Sequence, residues 1–503
     1  MNNISICKTE YNNHYLVSSS GPYHIFLSPI VLYFIENEGI VDYENIPLPK
    51  QLIIGDHKYN NEEIKYYFNK YLFLKQHGLL AEREKPSIEK ISGFYHENQI
   101  KWQLANLKQV SFEVTDACNL RCKYCVYGEL YKSYDRRDNQ FMTFETAQTI
   151  LDYLINLWKS EINHSKNRDV TFTFYGGEPL LNMRLIKKII EYVENSVPSS
   201  ITPQFNMTTN GTLLDKYMDY LVEKNFSLLI SLDGNEGNHS YRVTHDGSNS
   251  FNKVYKNVQL LKQKHPAFFE SKVNINSVLH NRNSVNDICT FIMDEFGKIP
   301  TIGELNGSGI DPDKVEEYKL TYKNKLEDLH QSENYEELVS KIELTNPDLY
   351  ITVTYIQHNS GNFFRKYLDL LPVENNIKYI PTGTCSAFER KMFVTTSGKI
   401  LPCERIGQQN YLGKIVNGIV DINFENIASK YNTYLEKIRK QCNHCYTYRS
   451  CTQCIFHLNN LEGSPVCYGY KSAKQMDLYV SNLLTFIEQN PNTYKKSMNV
   501  TFE

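Results

Sequence analysis

The chain has 503 residues, with 54 basic and 57 acidic side chains and a formal net charge of -3. This length fits about two to four domains, and the interspersed charges argue against a nucleic-acid groove or a polybasic membrane anchor. No secretory signal or apolar run of membrane-spanning length is visible, so we expect a soluble cytoplasmic protein. In a reducing cytosol the twelve cysteines are expected to be metal ligands or buried thiols rather than disulfides.

Residues 1–100 are predicted to form a small α+β domain of winged-helix type. Two short strand patterns, HYLVS and YHIFLS, precede an apolar helical stretch that ends at Gly39. A second helical pattern opens at Asn61 and ends at Gly78, and the residues after it are expected to return as the wing. The alternative is an ordinary pair of surface-packed helices. Because this domain leans acidic, DNA binding is not expected.

Between about residues 107 and 300, strand and helix patterns alternate. The strand patterns are QVSFEV, DVTFTFYGGEP, QFNMTTNGT, FSLLISLDG and KVNINSVLH, and a helical pattern follows each of them. This α/β alternation predicts parallel strands joined by right-handed crossovers, in an open or partly closed barrel. Chemistry in such folds sits at the carboxyl ends of the strands. We therefore expect one pocket to receive the segments that follow the strands.

Residues 301–380 are predicted to bridge the barrel and the C-terminal region. A loop-like stretch, GELNGSGIDPDK, precedes a long polar helical pattern that ends at SKI. A short amphipathic helix is predicted for GNFFRKYLDLL.

A cysteine motif follows the first barrel strand, with Cys118, Cys122 and Cys125 at the spacing CxxxCxxC. A structural zinc site needs four ligands, whereas three thiolates on a 4Fe-4S cubane leave one iron open to another ligand. Together with GGEP at 176–179 and SLDG at 231–234, this motif resembles that of the radical S-adenosylmethionine (radical SAM) enzymes. A zinc knuckle or a chance cluster of cysteines is the alternative.

The resemblance implies a partial (β/α)6 barrel of TIM type with a cluster on these three cysteines. In that family the open iron binds the amino and carboxylate groups of SAM, and an electron from the cluster yields a 5'-deoxyadenosyl radical. SAM contacts are then expected at Tyr124, Gly176, Gly177, Glu178, Ser231, Asp233, Arg242, Val278 and Leu279. No individual catalytic side chain is indicated.

Each of these contacts has a role by resemblance and a plainer alternative. The GGEP segment would hold the methionine ammonium, with Glu178 as an acceptor. Ser231 and Asp233 would bind the ribose hydroxyls, although either residue could merely cap the following turn. Arg242 would bind the methionine carboxylate, or else form a surface salt bridge. Tyr124 and the Val278–Leu279 pair, which would pack the adenine, are equally explained by core packing.

The C-terminal cysteines resemble those of the SPASM domain, expected here over residues 381–485, which carries auxiliary 4Fe-4S clusters. These cysteines are Cys385, Cys403, Cys442, Cys445, Cys451, Cys454 and Cys467. Gly398 lies between the first two, as the family pattern requires. By family analogy the outer cluster takes Cys442, Cys445, Cys451 and Cys467, and the inner cluster takes Cys385, Cys403 and Cys454. Cys454 stands at CxxC where the family has CxxxC, so His444 and His457 are alternatives to it. A pair of zinc knuckles is the other alternative.

The inner cluster would lack a fourth protein thiolate. A histidine, an acidic residue or a cysteine of the substrate could complete it. The expected cofactors are therefore SAM and three 4Fe-4S clusters, one of them binding SAM and two of them auxiliary.

The three regions together resemble peptide maturases with an N-terminal leader-recognition domain, in particular the thioether-forming ones. The expected partners are a precursor peptide, whose leader adds a strand to a sheet edge, and a reductant of flavodoxin or ferredoxin type. The alternatives are a sulfatase-type maturase that oxidises cysteine or serine on a protein, a peptide cyclase that forms carbon–carbon crosslinks, and a non-catalytic iron–sulfur electron carrier.

Overall fold

The computed structural model describes residues 5–17, 24–38, 46–80, 89, 91–132, 137–165, 167–307, 309–342, 347–359, 378, 380–492 and 495. Its strands are β1 (Ile6–Lys8), β2 (His14–Val17), β3 (His24–Leu27), β4 (Gln51–Ile54), β5 (His57–Asn60), β6 (Gln109–Thr115), β7 (Arg168–Gly176), β8 (Ile201–Thr209), β9 (Ser227–Ser231), β10 (Val273–Val278), β11 (Thr301–Gly303), β12 (Met392–Val394), β13 (Lys399–Leu401), β14 (Gly413–Val416) and β15 (Ile419–Ile422). Its helices are α1 (Pro29–Glu36), α2 (Asn61–Gln76), α3 (Glu97–Ala105), α4 (Phe144–Trp158), α5 (Met183–Ser196), α6 (Leu214–Glu223), α7 (Phe251–Lys264), α8 (Pro266–Lys272), α9 (Val285–Phe296), α10 (Val315–Thr321), α11 (Lys325–His330), α12 (Tyr335–Ile342), α13 (Pro347–Asn359), α14 (Phe424–Cys442) and α15 (Ala473–Gln489).

The strands β6 to β11 form a parallel sheet in chain order, as the alternation of strand and helix patterns predicts. The register pairs Phe112 of β6 with Phe174 of β7, and Phe174 in turn with Met207 of β8. All three side chains are fully buried, and each such burial stabilises the fold by about 1.5–3 kcal/mol. Parallel order places the carboxyl ends of β6 to β10 along one edge.

Local signals in the sequence explain where the barrel helices begin and end. The Thr143 hydroxyl accepts a hydrogen bond from the Thr146 amide at the start of α4 (3.2 Å), and Ser284 caps α9 in the same way (3.0 Å). Helix α9 ends at Gly297, whose φ of 67° is left-handed and therefore favours glycine. These caps fix the helices that cover the parallel sheet.

The central sheet continues into the C-terminal region, which the sequence patterns did not predict. Strand β12 pairs in parallel with β6, with Val394 opposite Phe112. Strands β13, β14 and β15 follow as antiparallel neighbours, which gives a sheet of ten strands among the described residues. The cysteine-rich C-terminal region is thereby joined to the strand that leads into the first cysteine motif.

The long helix predicted after residue 314 is wrong. The structure has three short helices, α10, α11 and α12, instead. The backbone turns extended at Tyr322, with ψ of 140°, and Asn324 then caps α11 by accepting from the Glu327 amide at 3.0 Å. The competing cap explains the break. The predicted helix GNFFRKYLDLL lies outside the described residues.

The N-terminal region contains the antiparallel sheet β1-β2-β3, the hairpin β4-β5 and helices α1 and α2. Helix α2 starts with a capping box at Asn60, whose side chain accepts from the Glu62 and Glu63 amides. The sheet packs on α15, where Tyr15 donates to Glu488 at 2.7 Å. Most residues of the expected wing lie outside the described part, so the winged-helix assignment stays a prediction. No helix in the described part is long and apolar enough to span a membrane.

Candidate active site

The first cysteine motif lies on the loop after β6, at the carboxyl edge of the parallel sheet. Backbone hydrogen bonds fasten this loop to the segment after β9: the amides of Arg121 and Lys123 donate to the carbonyls of Val243 (2.6 Å) and Tyr241 (3.0 Å). Burial raises the pKa of Cys118 and raises that of Cys122 to about 12. The neighbouring thiols, including Cys125, contribute to both increases. The three sulfurs therefore lie within electrostatic reach of one another.

The GGEP segment lies directly against the cysteine loop. The Gly177 amide donates to the Thr115 carbonyl (2.9 Å), and the Glu178 amide donates to the Ala117 carbonyl (2.8 Å). A Cβ atom at Gly177 would lie 2.1 Å from the Ala117 oxygen, and one at Gly176 would lie equally close to the Thr115 oxygen. Only glycine permits this close approach of two backbones.

Glu178 is fully buried and points toward the TTNGT turn after β8. Its carboxylate accepts from the Asn210 amide (2.7 Å), the Thr209 hydroxyl (2.7 Å) and the Leu180 amide (3.1 Å). Burial raises the pKa of Glu178 to about 7, although these donors favour the ionised form. The carboxylate thus ties β7 to β8, and its contact with a methionine ammonium stays a prediction.

The TTNGT turn is linked to the cysteine loop by side chains that were not among the predicted site residues. The side-chain Nδ2 of Asn210 donates to Asn119 Oδ1 (2.9 Å) and lies 3.9 Å from Cys118 Sγ. Asn119 in turn donates to the Thr212 hydroxyl at 2.8 Å. A polar turn after a buried strand was the signal in the sequence, and the structure shows that the turn braces the first cysteine.

Asp233, Arg242 and Tyr124 form a buried cluster beside the cysteine loop. Nε and Nη2 of Arg242 donate to the two Asp233 oxygens at 3.0 and 3.1 Å, and the Tyr124 hydroxyl also donates to Asp233. Burial alone would raise the pKa of Asp233, but the Arg242 charge holds it well below its usual range. Arg242 is only 7% exposed, so the alternative of a surface salt bridge is wrong: the ion pair lies inside the protein, and a contact of Arg242 with the methionine carboxylate stays a prediction.

The remaining expected SAM contacts differ in their exposure. Ser231 ends β9 and is mostly buried, whereas Val278 is half-buried and donates its amide to Asp233 Oδ1 at 2.9 Å. Leu279 is fully buried in the central core. The ring of His280 stacks on Tyr124, with centroids 5.5 Å apart. Val278 therefore borders the buried Asp233 cluster, and an adenine contact for either residue stays a prediction.

The C-terminal cysteines line two neighbouring cavities. The larger has a volume of about 800 Å³ and is lined by Cys385, Cys403, Cys451 and Cys454, together with Arg390, Lys391, Arg405 and Lys471. No Asp or Glu is among its described lining residues. The smaller cavity is lined by Cys442, Cys445, Cys451 and Cys467. Cys451 thus lies in the wall between the two spaces.

Electrostatic coupling divides the same thiols in the same way. Burial, together with the neighbouring thiols Cys451, Cys467 and Cys445, raises the pKa of Cys442 to about 12. Burial also raises the pKa of Cys454, with Cys385 adding to the shift. The thiols therefore gather as an outer set of four and an inner set that includes Cys385 and Cys454.

The two histidines that are alternatives to Cys454 as a cluster ligand differ in their distance from the cavities. His457 lines the larger cavity, with Nε2 3.1 Å from the Arg405 carbonyl oxygen. His444 lines neither cavity, and its Nδ1 lies 2.9 Å from the Lys440 carbonyl oxygen. Cys454 itself lines the larger cavity beside His457.

The cysteines suit iron–sulfur clusters in their chemical state and arrangement. All twelve are free thiols. In the part of the chain that the structure describes, no three His, Cys, Asp or Glu side chains converge on the position of a single metal ion. A cubane binds its cysteines through separate irons and so accepts thiols spread around a larger volume.

Residues 112–292 match the family model of the Radical SAM superfamily. The radical SAM cyclopropyl synthase TigE of Paramaledivibacter caminithermalis is 26% identical over 412 residues, which cover 77% of this chain and 76% of TigE. The cysteine-type anaerobic sulfatase-maturating enzyme of Clostridium novyi is 24% identical over 353 residues, which cover 66% of this chain and 83% of that enzyme.

A solved structure shares the fold. Native anSMEcpe with bound AdoMet and the Cp18Cys peptide superposes with a TM-score of 0.52 at 18% identity, covering 78% of this chain and 99% of that one. The matched central domain with its cysteine motif, and the relatives aligned along most of the chain, show that this protein is an enzyme whose residues 112–292 form a radical SAM domain.

Proposed function

We propose that this enzyme matures a ribosomally synthesised peptide by forming thioether crosslinks from cysteine to a backbone or side-chain carbon. The observation that carries the proposal is that three segments at the carboxyl edge of the parallel sheet are bound to one another. The cysteine loop after β6, the GGEP turn after β7 and the TTNGT turn after β8 are held together by the hydrogen bonds of Gly177, Glu178 and Asn210.

Cys118, Cys122 and Cys125 are the proposed ligands of the radical cluster. When bound there, a reduced 4Fe-4S cluster supplies the electron that cleaves SAM to methionine and a 5'-deoxyadenosyl radical. The backbone of Gly176 and Gly177, which packs against the carbonyls of Thr115 and Ala117, forms the proposed wall against the methionine portion. Asp233 orients Arg242 and Tyr124 through the hydrogen bonds that it accepts.

Thioether formation removes two hydrogens from the peptide in total. One leaves a carbon as a hydrogen atom, and the cysteine sulfur loses a proton, so that one electron must also depart as the carbon–sulfur bond forms. We assign the C-terminal cysteines to auxiliary clusters able to receive such an electron. The cationic lining of the larger cavity suits an anionic thiolate cluster. A substrate cysteine or His457 is the proposed fourth ligand of the inner one.

The N-terminal sheet is the proposed site for the leader. Its β1 side is covered by α15, where Thr485 accepts from the Glu10 amide at 3.2 Å and Ser481 donates to the Lys8 carbonyl. Among the described residues, β3 pairs only with β2, and Phe26 on β3 is 54% exposed. An added peptide strand would gain main-chain hydrogen bonds at the β3 edge, and Phe26 would contact its side chains.

A sulfatase-type maturase is the second candidate, favoured by the similarity to the Clostridium novyi enzyme. Such an enzyme would oxidise a cysteine or serine on a protein and would not depend on the β3 edge. Deleting residues 1–100 would not distinguish the two candidates. It would also remove the packing partners of α15, because Val480 and Leu483 share a hydrophobic cluster with Cys7 and Val17 of the N-terminal sheet. Point substitutions on β3 leave that contact in place.

The test uses anaerobically reconstituted full-length protein with dithionite, SAM and, as the candidate precursor, the peptide of a short cysteine-rich open reading frame sought beside its gene. We expect a product that has lost two hydrogens per crosslink. A thiol-alkylating reagent should leave the crosslinked cysteine unmodified, because a thioether sulfur is no longer a free thiol. Oxidation of a cysteine or serine in a sulfatase peptide, with no change in the precursor, would instead establish the second candidate.

A further inference from the structure

Arg137 lies against the third cysteine of the radical motif. Its Nη2 lies 3.5 Å from Cys125 Sγ, and its guanidinium carbon lies 4.4 Å from the centre of the Tyr127 ring. The neighbouring residue holds this position, because the Asp138 amide donates to the Asp116 carboxylate at 3.0 Å. A guanidinium group is not deprotonated in proteins, so Arg137 carries a permanent positive charge beside the motif.

The surface on which Arg137 rests is itself fixed. The Tyr127 hydroxyl donates to Glu113 Oε1 at 2.9 Å, and Glu113 is only 1% exposed. The other Glu113 oxygen accepts from the Thr396 amide at 3.1 Å. The tyrosine ring is thus anchored between β6 and the turn after β12, and it holds the guanidinium by a cation–π contact.

One donor of Arg137 is unused within the described protein. Its Nε is buried and has no hydrogen-bond acceptor among the described residues. Nε and Nη2 share one edge of the planar guanidinium group, so the unused N–H faces the same side as Cys125. A buried donor without an acceptor is costly, and this arrangement fits an acceptor that binds beside the cysteine.

We propose that Arg137 raises the reduction potential of the cluster held by Cys118, Cys122 and Cys125. The inference rests on the proposed function, since it needs a cluster at these thiols. Reduction adds one negative charge to the cluster, so a fixed cation beside Cys125 stabilises the reduced form more than the oxidised form. Hydrogen bonds to the sulfurs and local charge are the known determinants of such potentials.

The experiment is a redox titration of reconstituted full-length protein, followed by electron paramagnetic resonance. The radical cluster is identified by the change in its signal when SAM is added. We compare Arg137→Gln, Arg137→Lys and the control Arg121→Gln. Arg121 lies on the same loop, but its side chain is 69% exposed and pairs with Glu129 at 2.6 Å.

At a fixed potential, Arg137→Gln should lower the ratio of reduced to oxidised cluster about tenfold, which is about 59 mV for one electron. Arg137→Lys keeps the charge and should show a smaller shift in the same direction, while Arg121→Gln should match the wild type. A wild-type or higher potential in Arg137→Gln would overturn the inference. So would a lysine variant that falls as far as the glutamine variant.

Two controls separate this inference from the proposed function. Absence of any SAM-responsive cluster in the wild-type protein would refute the proposed function itself. If Arg137→Gln binds less iron than the wild type, the titration uses its SAM-responsive signal alone, because a midpoint potential does not depend on the number of molecules that carry the cluster: a potential below the wild type supports the inference, and an equal or higher one refutes it.

Discussion

Asp233 and Arg242 form a bidentate ion pair inside the barrel, with nitrogen–oxygen distances of 3.0 and 3.1 Å. Asp233 is fully buried and Arg242 nearly so. Both residues were expected to bind SAM separately, as ribose and carboxylate ligands. The structure instead joins them into one unit that also holds the Tyr124 hydroxyl.

Breaking this pair should destabilise the barrel strongly. Arg242→Gln leaves the Asp233 charge buried without its partner, and we expect a loss of about 3–5 kcal/mol. Hydrogen exchange of the β9 and β10 amides measures the local opening free energy. The double variant with Asp233→Asn should recover part of the loss. The control is Arg282→Gln, an exposed arginine that stacks on Tyr241; a loss equal to that of Arg242→Gln would contradict the account.

Glu178 should make the stability of the site depend on pH. Its folded pKa is raised from 4.5 to about 7, so the folded state holds a proton that the unfolded state has released. Stability therefore falls as pH rises from about 4.5 to about 7, by about 3 kcal/mol over the window. Exchange of the β7 and β8 amides should show this slope in the wild type and in Glu191→Gln, which removes an exposed carboxylate. Persistence of the slope in Glu178→Gln would assign it to another group.

Phe26 should contribute to leader binding. We expect Phe26→Ala to weaken binding of the precursor peptide about tenfold or more, because truncating a central aromatic contact costs about 2 kcal/mol. Calorimetry on the full-length protein measures the affinity. Phe94→Ala is the matched control, since Phe94 is 50% exposed but lies outside the N-terminal sheet. Equal affinities in the two variants would exclude β3 as the docking edge.

Iron content should report the auxiliary sites independently. We expect about twelve irons in the wild type, as three cubanes, and about eight when the cysteines of either auxiliary set are changed to alanine. The outer set is Cys442, Cys445, Cys451 and Cys467, and the inner set is Cys385, Cys403 and Cys454. Because Cys451 lines both cavities, its single substitution shows whether the sets are separate. Stoichiometric zinc with about four irons would refute this assignment.

The parallel sheet and the helices that cover it were predictable because periodicity and helix caps agree along residues 107–300. Strand β6 and helix α4 coincide with QVSFEV and with the helical pattern after Thr143. The alternation of strand and helix patterns also predicted that GGEP and TTNGT would lie near the cysteines, since all three segments follow parallel strands whose carboxyl ends share one edge.

The pairing of β12 with β6 could not be read from the sequence, because β12 has only three residues and no alternation of its own. The contact of Arg137 with Cys125 was missed for a similar reason: it joins two positions of a loop without periodicity. One signal was present, since Glu113 is a charged residue between Phe112 and Val114 in a predicted strand, and buried carboxylates require partners.

The central claim is that Cys118, Cys122 and Cys125 hold the cluster that cleaves SAM. The most direct measurement is 5'-deoxyadenosine formation by anaerobic protein reduced with dithionite in the presence of SAM. We expect product from the wild type and none from the variant with all three cysteines changed to alanine, which should still bind the precursor peptide with wild-type affinity. Product formation by that triple variant, or none by wild-type protein carrying its full iron content, would contradict the account.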